Sequence, residues 1–215
     1  GHKVNVSAGK ISGLWRWEAA YSEMSGNYDP NEMGFLLFAN DRQIRSSASY
    51  NKNRPFGRFV RGSISLFSTY RELYQPSRFA SWETGVNTFI LSKNFWGYGL
   101  NMRMRPIETR DYFEPRTPDF SEFLPLPANG NVEAFLSSNY ARTLAINLRG
   151  EYTYWNQEGR YEYYLRCQPR IRFSDRLFMI WSADYRKLFG DQGWVSPETP
   201  NLEATLIGTR DQVII

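Results

Sequence analysis

The sequence predicts an all-β protein, specifically an antiparallel up-and-down transmembrane β-barrel. About ten segments between residues 3 and 187 alternate apolar and polar side chains, as β-strands with two different faces do. The connections between these segments are alternately short and long, and aromatic residues gather at the segment ends. Barrels that span a membrane combine these three features, because tight turns lie at one rim and larger loops at the other.

The alternation is clearest in segments 95–105, 144–155 and 161–172. Successive side chains of a strand point to opposite faces, so every second residue shares a side. One face of these segments carries Trp96, Leu100, Leu148, Tyr152, Tyr163 and Leu165. The other face is polar, and we predict that it lines the lumen of the barrel with Asn101, Arg103, Arg105, Asn147, Arg149, Glu151, Glu162, Arg166, Gln168 and Arg170.

The connections predict which rim of the barrel faces which side of the membrane. The short ones are 10–13, 51–57, 92–94, 139–143 and 174–176, and we expect these to be periplasmic turns. We expect long extracellular loops near 23–41, 106–129 and 188–203. A further strand starts near Ala204, so residues 1–215 are interpreted as a single segment of a larger barrel.

A soluble β-sandwich is the main structural alternative, because its strands alternate as well. The polar face, however, carries several ionic side chains per strand. If that face were the outside of a sandwich, the interior would be crowded with Trp and Tyr side chains whose polar groups need partners. Aromatic rings at segment ends, such as Tyr50, Tyr70 and Tyr154, are better suited to a membrane–water boundary. Pro169 interrupts a good strand and indicates either a bulge or the approach to a rim.

Composition argues against several functional classes. The net charge is +4, but the arginines recur at alternate strand positions instead of forming one patch, so we expect no nucleic-acid partner. Cys167 is the only cysteine and His2 the only histidine. These 215 residues therefore supply no disulfide, no Cys- or His-based metal site and no Ser-His-Asp triad in the usual form. We expect no cofactor, no metal and no enzymatic activity.

The longest loop holds the densest motif, Asp111, Tyr112, Phe113, Glu114, Pro115 and Arg116. One interpretation is a loop that grips a ligand, or a carboxylate pair for acid–base chemistry. The other is a folded loop that covers the barrel mouth, with its aromatic side chains packed together and its charges paired internally. We favour the folded loop, because spacing alone does not identify a catalytic pair. A second loop, around residues 28–34, has the residues of a turn but lacks the spacing of an EF-hand.

Several stretches resemble one family: residues 10–17, 28–35, 94–97, 111–116 and 208–211. Together they resemble an uncharacterised outer-membrane barrel domain that follows a family 9 carbohydrate-binding-like module in Bacteroidota proteins. The stretch from Asp111 to Arg116 is the most specific part of this resemblance. The resemblance implies further strands beyond Ile215 and a carbohydrate-binding-like module upstream in the same polypeptide. It carries over no catalytic residue.

These observations predict a protein of the bacterial outer membrane whose main partner is the lipid bilayer. We expect a role as a channel, or as an uptake-linked or surface-associated protein, without catalysis. Two alternatives remain. One is a membrane-embedded hydrolase with its site on the extracellular loops, near Asp111 and Glu114. The other is a segment of a TonB-dependent transporter barrel, a class that also needs an N-terminal plug.

Overall fold

The computed structural model describes residues 1–29, 39–115, 117, 119–195 and 206–214. In this part of the chain all regular secondary structure is β-strand, and the pairings given by the register are antiparallel. The predicted all-β antiparallel class is therefore confirmed.

The described strands follow the predicted segments closely. Their bounds are β1 (Lys3–Lys10), β2 (Trp15–Met24), β3 (Asp41–Lys52), β4 (Phe59–Leu73), β5 (Arg78–Ser92), β6 (Gly97–Arg105), β7 (Thr109–Asp111), β8 (Leu124–Leu126), β9 (Asn129–Ser137), β10 (Leu144–Trp155), β11 (Tyr161–Arg172), β12 (Phe178–Ile180), β13 (Ala183–Val195) and β14 (Leu206–Ile214). The three-residue strands β7, β8 and β12 have no counterpart in the sequence prediction, because they are too short for an alternating pattern to show.

The large sheet is ordered along the chain: β1-β2-β3-β4-β5-β6-β9-β10-β11-β13-β14, with β12 beside β11. Strands β7 and β8 form a separate hairpin. Among the described residues β1 and β14 end the order and do not pair with each other, so the sheet is not closed into a barrel. Closure around a lumen stays a prediction.

Contacts divide the chain into two compact units. Unit 1 comprises Gly1–Asn53, Gly62–Asn87 and Arg103–Ala128. Unit 2 comprises Arg54–Arg61, Thr88–Met102 and Asn129–Ile215.

In unit 1 the register of β1 to β4 separates an apolar face from a polar one. Trp15 lies opposite Tyr50, and Tyr50 opposite Ile64, while Tyr21, Ile44 and Tyr70 form a second row on the same side. The opposite side carries small and polar side chains such as Ser47, Ser49 and Ser65. This unit therefore has the two-faced strands that the alternation predicted.

In unit 2 the register of β9, β10, β11 and β13 produces the same separation. Leu148 lies opposite Leu136 and Cys167, and Tyr152 opposite Val132 and Tyr163. The intervening positions are polar or ionic, as the pairs Arg149–Arg166 and Asn147–Gln168 illustrate. Side chains that are close in space therefore share their chemistry over four strands.

The apolar face is exposed, and the described residues form no extended dry core. Leu100, Leu148, Leu165 and Met179 are between 36% and 57% exposed. Leu73, Tyr112 and Ala145 are the buried hydrophobic residues in the described part of the chain. The apolar side chains thus do not fill an interior.

Pro169 lies at the point where the neighbouring strand is interrupted. Ile146, its register partner on β10, directs both of its backbone hydrogen bonds toward Ser138 on the other side. The backbone of Pro169 therefore faces β12 and β13, and its carbonyl accepts from the Trp181 N–H. Residues 181–182 separate those two strands, so the missing proline N–H falls where the ladder is already broken.

The structure corrects two of the predicted loops. Two other predictions concern residues outside the described ranges. Strand β13 continues to Val195, where we expected a loop from residue 188, because a β-bulge between Leu188 and Asp191 shifts the alternation out of phase. The connection 106–129 contains the β7–β8 hairpin, whose strands were too short to predict. The predicted turn near Pro30–Gly34 and the residue Arg116 lie outside the described residues.

Candidate functional site

The ionic face of unit 2 brings together most of the residues predicted to line a lumen. We define it as the side of β9, β10, β11 and β13 that carries Asn147, Arg149, Glu151, Glu162, Arg166, Gln168 and Arg170, together with Glu133, Tyr164, Asp184 and Arg186. The strands position these groups because every second residue of each strand points to this side. Four of these residues were not predicted, although alternation from their predicted neighbours indicates them: Glu133, Tyr164, Asp184 and Arg186.

Most charges on the ionic face are paired across strands. Arg149 Nη2 lies 2.6 Å from Glu133 Oε2 and also contacts Glu151. Arg166 Nε lies 2.5 Å from Asp184 Oδ1, and Arg186 Nε lies 2.7 Å from Glu162 Oε1. Arg149 and Arg166 are therefore already neutralised, and they do not present free positive charge.

Tyr164 lies at the centre of this network. The guanidinium carbons of Arg149, Arg166 and Arg186 lie 5.8, 5.6 and 5.7 Å from the centre of its ring. Its hydroxyl donates to Asp184 Oδ1 over 2.6 Å. An aromatic ring attracts cations through its electron-rich face, so Tyr164 helps to hold three arginines in one place.

Arg170 differs from these arginines because it packs against aromatic rings instead of a carboxylate. Its guanidinium carbon lies 4.5 Å from the centre of the Phe178 ring and 5.4 Å from that of Tyr140. Within the described residues its buried Nε has no hydrogen-bond partner. The structure therefore holds this cation by stacking.

The predicted residues of β6 have acidic partners in both units. In unit 2, Asn101 Nδ2 donates to Glu133 Oε1 over 2.9 Å, which joins Asn101 to the ionic face. In unit 1, Arg105 Nη2 lies 2.8 Å and Arg103 Nε 3.5 Å from the carboxylate of Glu83. Each of these three predicted residues therefore contacts the carboxylate of a glutamate on another strand.

The loop motif folds on itself in unit 1. Asp111 Oδ1 accepts hydrogen bonds from the backbone N–H groups of Phe113 (2.9 Å) and Glu114 (3.1 Å). Tyr112 is 2% exposed, and its ring lies 5.4 Å from that of Phe123. The Asp111 carboxylate therefore stabilises a turn, as Asp does in turns generally. Pro115 follows in the same turn.

Ring contacts and hydrogen bonds also hold the rest of the loop. The Phe113 and Phe120 rings lie 5.5 Å apart, and Phe120 accepts a hydrogen bond from Arg78 Nη1 over 2.9 Å. Hydrogen bonds from the hydroxyl and the backbone N–H of Ser121 hold the pKa of Asp119 below its usual value. Residues 109–114 and the strand ends near Asp41 and Glu72 enclose a cavity of about 320 Å³.

A second polar cluster in unit 1 was not predicted. At one end of β2, β3 and β4, Arg42 Nη1 lies 2.6 Å from Glu72 Oε1 and Arg42 Nε 3.7 Å from Glu23 Oε2. The Tyr21 hydroxyl donates to Glu23 over 2.5 Å, and His2 Nε2 lies 3.2 Å from the same carboxylate. These groups lie on the apolar side of the strands, so they end the apolar rows of that face.

The described residues contain neither a cluster of metal-binding side chains nor a membrane-spanning helix. Among them, no group of three or more His, Cys, Asp or Glu side chains is arranged to hold a metal ion. No helix within the same ranges is long and apolar enough to cross a membrane.

The described strands and their ion-paired face define an all-β protein built on a large antiparallel sheet. A comparison with protein-family models matches residues 1–215 to "Domain of unknown function (DUF5916)". The chain belongs to this family, whose description assigns no activity. Neither the curated proteins nor the solved structures gave a significant match. The expectation of an uncharacterised domain is confirmed, while the outer membrane, the neighbouring module and the taxon stay predictions.

Proposed function

We propose that this chain is part of an outer-membrane β-barrel whose apolar face contacts lipid and whose ionic face contacts water. The observation that carries the proposal is the exposure of the apolar face in a sheet whose opposite face is charged. Burying such a face against lipid removes apolar surface from water, which is favourable in proportion to the area. The paired charges then lie on the side where water is available.

The dimensions of the strands support the proposal. On β10 the apolar side runs from Leu144 to Tyr154, which spans about 33 Å at about 3.3 Å per residue. At the strand tilt of about 40° found in membrane barrels, this length covers about 25 Å of membrane thickness. That is the height of the apolar band of outer-membrane barrels.

The pairing of the charged side chains on the ionic face indicates what this face does in the barrel. Arg149, Arg166 and Arg186 are each paired with carboxylates, so the ionic face is suited to a polar interior held together by ion pairs. We propose a channel or an uptake-linked or surface-associated role without catalysis. The Asp111 carboxylate, the centre of the hydrolase alternative, accepts two backbone hydrogen bonds, and no other feature of the described residues favours that alternative.

The resemblance noted in the sequence adds a genomic context to the proposal. We propose that a carbohydrate-binding-like module precedes this domain in the same polypeptide and that the source is a Bacteroidota species. Determination of the full open reading frame tests this part. An N-terminal plug domain in place of such a module would instead favour a TonB-dependent transporter.

Cys167 permits a direct test of the lipid-facing side. It lies on the apolar face, opposite Leu148, while its neighbour Gln168 lies on the ionic face, opposite Asn147. The full polypeptide, with any cysteine outside these residues replaced by alanine, is reconstituted in phospholipid vesicles and spin-labelled at Cys167. A Cys167→Ala/Gln168→Cys variant places the matched control label at nearly the same depth on the other face.

The proposal predicts that oxygen, which partitions into lipid, relaxes the label at Cys167 more than a water-soluble nickel chelate does. It predicts the reverse for the label at position 168. Equal nickel access at both positions, or purification of the unlabelled protein from the aqueous fraction without detergent, would contradict a lipid-facing sheet and favour a soluble one.

A further inference from the structure

At one end of the strands, the connections of unit 2 carry almost only positive charge. Residues 54–58, 93–96, 138–143 and 173–177 contain one acid, Asp175, and it pairs with Arg172 over 2.6 Å. The cations in these connections are Arg54, Arg58, Lys93, Arg142 and Arg176. In the ranges that the structure describes, no carboxylate lies within ion-pair distance of Arg58, Lys93 or Arg142.

Two of these connections enclose a cavity of mixed chemistry. Lys93 and Arg142 line a space of about 800 Å³ together with Trp96, Leu144 and Ile146. Trp96, Leu144 and Ile146 belong to the apolar side of their segments, whereas the two cations are exposed at the turns. One wall of the cavity is therefore apolar and the other can bind an anion.

A neighbouring cavity extends the same arrangement. Arg58 and Lys93 line a space of about 820 Å³ with Phe59, Ile90 and Tyr98. The Lys93 N–H donates to the Arg58 carbonyl over 3.0 Å, so the two turns are joined by their backbones. Lys93 contributes to both cavities.

The turns that carry the cations are held by their own hydrogen bonds. The Ser92 N–H donates to the Trp96 carbonyl over 2.8 Å, and the Ser92 hydroxyl accepts from the Trp96 N–H over 3.0 Å. In the other turn, Asn139 Oδ1 accepts from the Ala141 N–H over 2.8 Å. These hydrogen bonds fix the backbone positions of Lys93 and Arg142 before any ligand binds, which lowers the entropic cost of ordering the turns.

We propose that these cavities bind an anionic glycerophospholipid, with its phosphate between Lys93 and Arg142 and its acyl chains along the apolar face. The inference rests on the proposed function, because the chains would continue over the lipid-facing side toward Leu148. Charge complementarity favours this occupant. Basic residues at a membrane surface attract anionic headgroups, and the apolar side chains beside them suit acyl chains.

The test compares binding of phosphatidylglycerol and phosphatidylethanolamine to the full polypeptide in detergent, measured by native mass spectrometry. The Lys93→Gln/Arg142→Gln variant removes both cations of the first cavity. The Arg54→Gln/Arg176→Gln variant changes the net charge equally, but neither of its residues lines either cavity. We expect the first variant to weaken phosphatidylglycerol binding about tenfold or more, and the second to weaken it by less than about threefold.

Three results would overturn the proposal. They are equal affinity for the two lipids, equal weakening by the two variants, and full displacement of the lipid by inorganic phosphate at millimolar concentration. The last result would identify a phosphate site without a lipid component. The spin-label accessibility at Cys167 reports the membrane arrangement separately, so failure of the lipid site and failure of the barrel proposal can be told apart.

Discussion

Glu133 and Glu151 are register partners on β9 and β10, and Arg149 contacts both of their carboxylates. Two like charges directly opposite each other on one face destabilise a sheet unless a cation offsets them. Arg149 supplies that cation, and Asn101 donates a further hydrogen bond to Glu133. The ionic face therefore depends on particular pairs, not on its overall charge.

Removal of Arg149 should expose this repulsion. We expect Arg149→Met to lower the free energy of unfolding by about 1–2 kcal/mol. This is less than the loss of a fully buried ion pair would cost, because solvent partly screens the contact between Arg149 and Glu133. Urea titration of the protein in detergent measures the change. Glu151→Gln in the same background should restore much of the loss. As a control, Arg103→Met should cost less, because Glu83 keeps Arg105 as a partner. Equal losses for the two arginines would contradict this account.

The apolar face provides a second prediction. Leu165 is 57% exposed and lies opposite Gly150, near the middle of β10. If lipid surrounds it, Leu165→Arg should lower stability in phospholipid vesicles by about 2–4 kcal/mol. Thr153→Arg places the same side chain on the ionic face, opposite Glu162, and should cost much less. Unfolding from vesicles measures both, and equal effects would count against a lipid-facing Leu165.

The loop motif allows a structural role of Asp111 to be separated from a chemical one. Asp111→Ala should remove two hydrogen bonds to backbone N–H groups and destabilise the turn by about 1–2 kcal/mol. Asp111→Asn keeps an oxygen that can accept them and should be nearly neutral. Amide exchange at Phe113 and Glu114 measures the turn. A different result would indicate a chemical role. If the Asn variant impaired function as strongly as the Ala variant while leaving amide exchange at Phe113 and Glu114 unchanged, the negative charge of Asp111 would itself be needed for function.

In unit 2 the ring of Phe135 lies so close to Gly99 that only glycine fits at this position. A Cβ added there would overlap the ring of Phe135, which stacks on Phe89 with ring centres 6.3 Å apart. We expect Gly99→Ala to lower stability by about 1–3 kcal/mol. The same change in a Phe135→Ala background should cost far less, since the ring is gone.

Gly150 is the matched control for Gly99. A Cβ at this position would meet only Leu165 Cδ2 at 3.5 Å, an ordinary contact. Gly150→Ala should therefore change stability by less than about 0.5 kcal/mol. Thermal unfolding followed by circular dichroism compares the variants, and a Gly99→Ala effect that persists without Phe135 would point to the backbone instead of the ring.

Much of the fold could be predicted because strand alternation is a local property. The segments around Leu148 and Leu165 were found at nearly their observed bounds, and the residues predicted for one polar side share a face in unit 2. The end of β13 was not found, since the bulge between Leu188 and Asp191 breaks the period that the prediction depends on. The β7–β8 hairpin is too short to have a period at all.

The order of residues was enough to predict the strand class, the two-faced character of the sheet and the alternation of short and long connections. Each of these follows from side chains that are neighbours along the chain. Three-dimensional packing was needed to establish that Arg149 meets Glu133, that Arg170 packs on Phe178, and that Tyr112 is buried in its own loop. Those contacts depend on strand register and on loop packing. Both are set by the sum of many distant interactions, so no local pattern contains them.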